Sequence, residues 1–137
     1  MKKKISAALT ARLERLARRA AANSYSPYSR FAVGAAILAS SGKIYSGTNV
    51  ENASYGLCNC AERSAVFTAA SAGERKITCV VVYTPTQAVT PPCGACRQVI
   101  NEFGPHARVI SICDSKDRIE TTLDALLPGA FGPENLA

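Results

Sequence analysis

The chain is organised around the stretch Cys60-Ala61-Glu62-Arg63, which is followed further along by Pro92-Cys93-Gly94-Ala95-Cys96-Arg97. The C-x-x-C pattern at the start of a helix turns two sulfurs toward one point, and Cys60 is predicted to arrive from another helix start. Zinc binds thiolates in a tetrahedron, so Cys60, Cys93 and Cys96 are candidate zinc ligands. Three protein ligands leave the fourth position open, which is typical of a catalytic zinc rather than a structural one.

Charged side chains stand beside these candidate ligands. Glu62 comes two residues after Cys60, so its carboxylate can reach a water at the open position without binding the metal, and it can move protons. Three thiolates give the site a net negative charge, which weakens zinc as a Lewis acid. Helix N-termini favour anions, and Arg63 and Arg97 are close enough in sequence to donate hydrogen bonds to ligand sulfur.

A structural zinc held by four cysteines, with Cys58 added to the set, is the alternative interpretation of these residues. This interpretation gives no role to Glu62, Arg63 or Arg97. Cys58 is also only two residues from Cys60, which is tighter than the usual spacing in zinc fingers.

The composition predicts one domain, residues 1–137, that is large enough for a real core. Its 47% hydrophobic and 19% charged residues fit a soluble globular protein, and no apolar run is long enough to span a membrane. Lys2-Lys3-Lys4 is not followed by an apolar segment, so a signal peptide is not expected. Six cysteines in such a chain suggest metal use in a reducing compartment, and we expect a cytoplasmic protein.

Positive charge is concentrated in the first helix, which we expect over Ser6–Ala22. The net charge is +6, and residues 1–30 contain eight of the sixteen Lys and Arg residues but a single acid, Glu14. The helix has an apolar stripe at helical spacing, and Arg12, Arg15 and Arg19 lie away from it. A solvated helix face explains these arginines, and a nucleic-acid footprint is the alternative.

The remaining elements alternate in a way that predicts an α/β fold. The order predicts a three-layer α/β/α sandwich with a mixed five-stranded sheet. The last two strands are separated by a tight turn, so they must be antiparallel. The predicted strands are Phe31–Leu38, Ile44–Val50, Ile77–Tyr83, Arg108–Cys113 and Arg118–Thr121; the predicted helices are Ala61–Ala72, Gly94–Phe103 and a short last helix capped by Thr122.

Asn49 and Glu51 lie at the end of the second predicted strand and are two residues apart, so they point the same way if the strand continues past Val50. An amide beside a carboxylate suits a sugar hydroxyl, because one donates a hydrogen bond and the other accepts one. Taken alone, the pair is better explained as the ordinary polar end of a strand.

Over nearly its whole length the sequence resembles the small, homotetrameric, zinc-dependent type of cytidine deaminase. C-x-E with P-C-x-x-C is the general zinc-deaminase signature, here with Cys where His is commoner. The stretch around Asn49 and Glu51 indicates a nucleoside substrate. The resemblance rests on residues 28–36 (YSRFAVGAA), 49–55 (NVENASY), 58–63 (CNCAER), 92–98 (PCGACRQ) and 126–131 (LLPGAF).

This resemblance implies a reaction and its central residues. The reaction is the hydrolytic deamination of cytidine and 2′-deoxycytidine, with zinc held by Cys60, Cys93 and Cys96. Glu62 is implied to protonate ring N3 and later the leaving amine. The main-chain amide of Ala61 is implied to hold the carbonyl of the base.

The resemblance also implies the remaining substrate contacts. Phe31 packs on the base, and Asn49 and Glu51 hold the ribose 3′-hydroxyl. Phe131 covers the base from a neighbouring subunit of a homotetramer. Neither a polynucleotide nor a membrane is expected as a partner. Lys2–Lys4 are not part of the family pattern, and we assign them no role.

Three other functions stay open. A polynucleotide deaminase, such as a transfer RNA adenosine deaminase, usually carries His-Ala-Glu and has parallel last strands, and Glu51 would repel a 3′-phosphate. Blasticidin deaminase uses a cysteine-type site but does not normally carry the asparagine–glutamate stretch. From a different class, a structural zinc protein could bind nucleic acid through the basic first helix.

Overall fold

The computed structural model describes residues 5–137, so Lys2–Lys4 lie outside the described residues. Helices and strands alternate along the chain much as the sequence predicts, with two additional short 3-10 helices at Tyr55–Leu57 and Pro133–Asn135. The helices are α1 (Ala7–Ala21), α2 (Ala61–Ser71), α3 (Gly94–Phe103) and α4 (Leu123–Leu126); the strands are β1 (Gly34–Ala39), β2 (Ile44–Thr48), β3 (Ile77–Tyr83), β4 (Arg108–Ile112) and β5 (Arg118–Thr122).

The five strands form one mixed sheet in the order β2-β1-β3-β4-β5. The β1–β2, β1–β3 and β4–β5 pairs are antiparallel, and the β3–β4 pair is parallel. The predicted mixed sheet and the predicted antiparallel last pair are both confirmed. The parallel β3–β4 pair is joined through α3, which supplies the long crossover that parallel strands need.

One face of the sheet is covered by α1. Ser6 caps this helix by accepting a hydrogen bond from the backbone N–H of Leu9. Of the apolar stripe predicted from helical spacing (Ile5, Leu9, Leu13, Leu16 and Ala20), Leu13 is buried and the others are partly buried. Ala17 and Ala21, which were not part of the predicted stripe, are also buried. A Cβ at Gly34 would lie 1.9 Å from the carbonyl oxygen of Ala17, so glycine is what lets β1 approach the helix this closely.

The opposite face packs against α2, α3 and α4, which completes the three-layer sandwich predicted from the sequence. The core on this side includes Ala65 and Val66 of α2, Ile100 of α3 and Leu123 of α4. Every residue of β1 is buried, because helices cover both faces of that strand. Among residues 5–137, no helix is long and apolar enough to cross a membrane.

Several strand ends differ from the sequence prediction. The ends of β1, β4 and β5 at Ala39, Ile112 and Thr122 differ by one residue, and two larger differences lie beside Asn49. We predicted β1 from Phe31 and β2 to Val50, but β1 begins at Gly34 and β2 ends at Thr48. The backbone N–H of Val33 bonds to the Asn49 side chain at 2.9 Å instead of to a neighbouring strand. The backbone N–H of Asn49 still donates to the carbonyl of Val33 at 3.3 Å, so the side chain replaces one of the two backbone hydrogen bonds that would have continued the ladder.

Thr122 shows a further difference. It occupies the position before α4, as predicted, but its side chain makes no capping hydrogen bond. The prediction is therefore right that Thr122 occupies the N-cap position of α4, and wrong that its hydroxyl caps the helix.

Candidate active site

Three cysteine sulfurs meet where α2 and α3 begin. Cys60 immediately precedes α2, Cys93 immediately precedes α3, and Cys96 lies in the first turn of α3. The three Sγ atoms all lie within 4.8 Å of one another, with 3.8 Å between Cys60 and Cys93 and 3.5 Å between Cys93 and Cys96. A tetrahedral zinc with bonds of about 2.3 Å places its sulfur ligands about 3.8 Å apart, so this set fits zinc.

Cys58 does not join this cluster. Its Sγ lies 3.3 Å from the backbone nitrogen of Asn52 and 3.6 Å from the backbone oxygen of the same residue. The four-cysteine interpretation would need Cys58 beside the other sulfurs, and the structure places it in a loop contact instead. Cys79 and Cys113 are buried in and beside the sheet.

The environment of Cys60 favours a thiolate. The pKa of its thiol is lowered by a hydrogen bond from the Cys96 thiol and by Arg63, against the opposing effect of burial. An Nη2 of Arg63 donates to the Cys60 Sγ at 3.3 Å. The first N–H groups of α2 and α3 also have no partner within their own helices, which favours negative charge at both helix starts.

Arg97 differs from the sequence prediction that it would donate to ligand sulfur. Its Nε donates to the carbonyl of Pro92 at 2.8 Å, and its Nη1 donates to the carbonyl of Leu126 at 3.0 Å. Arg97 thus ties the residue before Cys93 to the end of α4, and it braces the segment that delivers Cys93. Arg63 is therefore the arginine that contacts a ligand thiol.

Glu62 is buried at the base of the site, with 4% of its surface exposed. Burial raises the pKa of its carboxyl to about 7. A group with a pKa near 7 can both accept and release a proton at neutral pH, which is what a proton shuttle requires.

A pocket opens in front of these residues, with a cavity volume of about 690 Å³. This size is within the range of about 300–1,000 Å³ that is typical of small-molecule sites. Seven of the residues singled out from the sequence line it: Phe31, Asn49, Glu51, Cys60, Glu62, Arg63 and Cys93. Ala61 and Cys96 are fully buried beside it.

Asn49 is tied into the loop that precedes β1. Its Oδ1 accepts hydrogen bonds from Ser24 Oγ at 2.6 Å and from the N–H of Val33, and its Nδ2 donates to the carbonyl of Phe31 at 2.7 Å. The second N–H of the amide has no partner among residues 5–137. Asn49 can therefore donate to a ligand while it holds the loop.

Glu51 lines the same pocket, although the strand that would have aligned it with Asn49 ends earlier. Its carboxylate accepts hydrogen bonds from the backbone N–H groups of Tyr28 and Ser29 and from the Ser29 hydroxyl. The Ser29 hydroxyl is the main cause of a lowered pKa at Glu51. Ser29 was not singled out from the sequence. A serine hydroxyl in a turn often accepts a hydrogen bond from the backbone N–H two residues further on, here that of Phe31, and this was the signal available.

Phe131 lies apart from the pocket of its own chain, and 58% of its surface is exposed. Its carbonyl accepts hydrogen bonds from Gln98 Nε2 at 2.8 Å and from Asn101 Nδ2 at 3.3 Å. The backbone of Phe131 is thus held against α3 while its ring projects outward.

A comparison with protein families places residues 9–113 in the "cytidine and deoxycytidylate deaminase zinc-binding region". The chain is 49% identical over 113 residues to a cytidine deaminase from Halalkalibacterium halodurans, covering 82% of this chain and 86% of the relative. It is 47% identical over 121 residues to a cytidine deaminase from Sporosarcina psychrophila, covering 88% of this chain and 89% of the relative.

Solved structures agree with these relatives. A crystal structure of cytidine deaminase from Burkholderia pseudomallei matches with a TM-score of 0.84 and 46% identity, covering 88% of this chain and 98% of the other. A crystal structure of cytidine deaminase from Mycobacterium tuberculosis matches with a TM-score of 0.78 and 42% identity, covering 90% and 97%.

Proposed function

This chain belongs to the cytidine and deoxycytidylate deaminase family, and we infer that it hydrolyses cytidine and 2′-deoxycytidine to uridine and 2′-deoxyuridine with release of ammonia. The observation that carries this function is the meeting of three cysteine sulfurs beside a buried glutamate at the base of one pocket. Bound zinc supplies the Lewis acidity that makes hydroxide available near neutral pH. Cys60, Cys93 and Cys96 are the residues that would hold it.

Glu62 carries the protons in this proposal. It takes one proton from water and delivers it to ring N3 of the base as the water oxygen bonds to C4. It then moves the remaining proton of that oxygen to the amine, which leaves C4 as ammonia. Its burial and its pKa of about 7 support this role, because the carboxyl can be reprotonated in each cycle. The adjacent amide of Ala61 holds the carbonyl of the base.

The other pocket residues bind the nucleoside. Phe31 packs on the base, and Asn49 and Glu51 hold the 3′-hydroxyl, Asn49 through its unused N–H and Glu51 through its carboxylate. No ion pair within the described part of the chain includes Glu51. Its uncompensated charge would repel a 3′-phosphate, which favours a free nucleoside over a polynucleotide. The antiparallel β4–β5 pair also fits the nucleoside type.

We further propose that residues 1–137 act as a single catalytic domain in a homotetramer. The exposed ring of Phe131 supports this, because it is turned away from its own pocket and could cover the base bound by a neighbour. Exposed Tyr55 and Leu57, beside the pocket, offer apolar surface for such a contact. None of the six cysteines forms a disulfide bond, which fits a reducing compartment, and we place the enzyme in the cytoplasm.

An assay of ammonia release from five small substrates and from single-stranded DNA tests the function. Cytidine and deoxycytidine should react, and 3′-cytidine monophosphate should react poorly. Adenosine and blasticidin should not react. Rapid turnover of the 3′-phosphate, or of cytosine in single-stranded DNA, would favour a polynucleotide deaminase instead.

The Arg63–Cys60 contact predicts an effect on zinc. Arg63→Gln should lower zinc affinity or kcat/KM by roughly 10–100-fold, because groups around a metal's ligands typically contribute that much. Thermal unfolding should change less. Arg12→Gln, on the exposed face of α1, is the matched control. If Arg63→Gln equals the parent both in zinc retention against a chelator and in turnover, the proposed role of Arg63 is wrong.

The exposed ring of Phe131 predicts a second effect. Phe131→Ala should raise the KM for cytidine while leaving zinc content unchanged, because an aromatic contact with the neighbour's bound base is lost. Sedimentation should give a mass near four chains. Leu136→Ala, at a side chain that is 79% exposed, is the control and should keep the parent KM. A fully active monomer would contradict the shared site.

A further inference from the structure

The two carboxylate oxygens of Glu51 are held differently. Oε1 accepts hydrogen bonds from the backbone N–H groups of Tyr28 at 3.0 Å and Ser29 at 3.1 Å. Oε2 accepts one hydrogen bond, from the Ser29 hydroxyl. Each carboxylate oxygen offers about two acceptor sites, so Oε1 is filled and Oε2 keeps one. The oxygen that can still accept a hydrogen bond from a ligand is therefore the one that Ser29 holds.

The direction of the Ser29 hydroxyl is itself fixed. Its Oγ accepts a hydrogen bond from the backbone N–H of Phe31 at 3.0 Å, so its own proton is left to point at Glu51. Arg30, which lies between Ser29 and Phe31 in the sequence, has a backbone φ of 58°, which is uncommon for a residue other than glycine. This left-handed residue brings the Ser29 hydroxyl and the Phe31 amide together, so Ser29 links two residues of the pocket.

The backbone of Glu51 is held in place by hydrogen bonds that do not involve Ser29. Its N–H donates to the carbonyl of Tyr25 at 2.8 Å, and the preceding Val50 is paired on both sides, with Tyr25 and with Asn59. What remains to be fixed is the rotation of a long, flexible carboxylate side chain. Fixing it before the ligand arrives avoids an ordering cost on binding.

We propose that Ser29 is a positioning residue whose hydroxyl aims Oε2 of Glu51 at the 3′-hydroxyl of the nucleoside. Ser29 thereby sets how strongly the enzyme prefers nucleosides that carry this hydroxyl. The proposal rests on the proposed function, in which Glu51 binds that group.

The test compares kcat/KM for cytidine and 3′-deoxycytidine in the parent, Ser29→Ala, Ser29→Thr and Ser26→Ala, with zinc content measured for each. The parent should prefer cytidine. Ser29→Ala should reduce that preference by about tenfold, because one hydrogen bond to a charged group is lost. Its activity on 3′-deoxycytidine and its zinc content should change little. Ser29→Thr keeps the hydroxyl and should restore the preference. Ser26→Ala removes a hydroxyl of the same loop that contacts only Ser24, so it should match the parent.

Two outcomes overturn the proposal while the enzyme remains a cytidine deaminase. In the first, Ser29→Ala keeps the parent's preference for cytidine. In the second, both substrates lose activity equally, which would show that Ser29 only supports the loop. A parent that deaminates both nucleosides equally well overturns the Glu51 contact and this proposal with it. A parent that releases no ammonia from cytidine contradicts the proposed function itself.

Discussion

Replacing Glu62 with glutamine should lower the turnover of cytidine by about 10²–10⁴-fold, the usual contribution of general acid–base catalysis. Glutamine has nearly the same shape and can fill the same buried space, but it cannot carry a proton between water, ring N3 and the leaving amine. Zinc content and thermal stability should therefore stay close to those of the parent. Steady-state kinetics and metal analysis of the same preparation measure both effects.

Glu102→Gln is the matched control for this experiment, because it makes the same chemical change at an exposed position of α3. It should behave as the parent. Near-normal turnover by Glu62→Gln would mean that another group moves the protons.

Replacing Cys96 with serine should reduce bound zinc and activity together. Cys96 is fully buried in the first turn of α3, and a serine hydroxyl is a much poorer ligand for zinc than a thiolate. The loss of activity should exceed the roughly 10–100-fold that changes around a metal's ligands typically cost. Metal analysis after dialysis, followed by an activity assay, gives both numbers.

Cys58→Ser is the control for the ligand assignment. It changes the same chemical group, but Cys58 contacts the backbone of Asn52 rather than the cluster. This variant should keep its full zinc. Loss of zinc from Cys58→Ser with retention in Cys96→Ser would show that the wrong cysteines have been assigned.

The elements that hold the metal ligands could be predicted because their signals are local. Helical spacing and the position of the cysteines predicted that α2 and α3 begin just after Cys60 and Cys93, and the structure confirms this. The run Ile77–Tyr83 was predicted as a central strand from its hydrophobicity alone, and β3 has these same bounds. The antiparallel β4–β5 pair followed from the short turn between the strands.

The contacts of polar side chains could not be predicted in the same way. Arg97 is adjacent to Cys96 in sequence, but it bonds to the carbonyls of Pro92 and Leu126, which only the packing of α3 brings within reach. The resemblance implied that Asn49 holds the ribose 3′-hydroxyl, but nothing in the sequence indicated that most of its amide is used to hold the loop before β1. The hydrogen-bond partners of these side chains are distant in the chain, so the spacing of residues in the sequence cannot predict them.

Titrating zinc into metal-free protein and following ammonia release from cytidine tests the central claim most directly. Turnover should be absent without metal, rise in proportion to added zinc, and level off at one zinc per chain. Full turnover without zinc, or no release of ammonia when one zinc per chain is bound, would contradict a zinc-dependent cytidine deaminase.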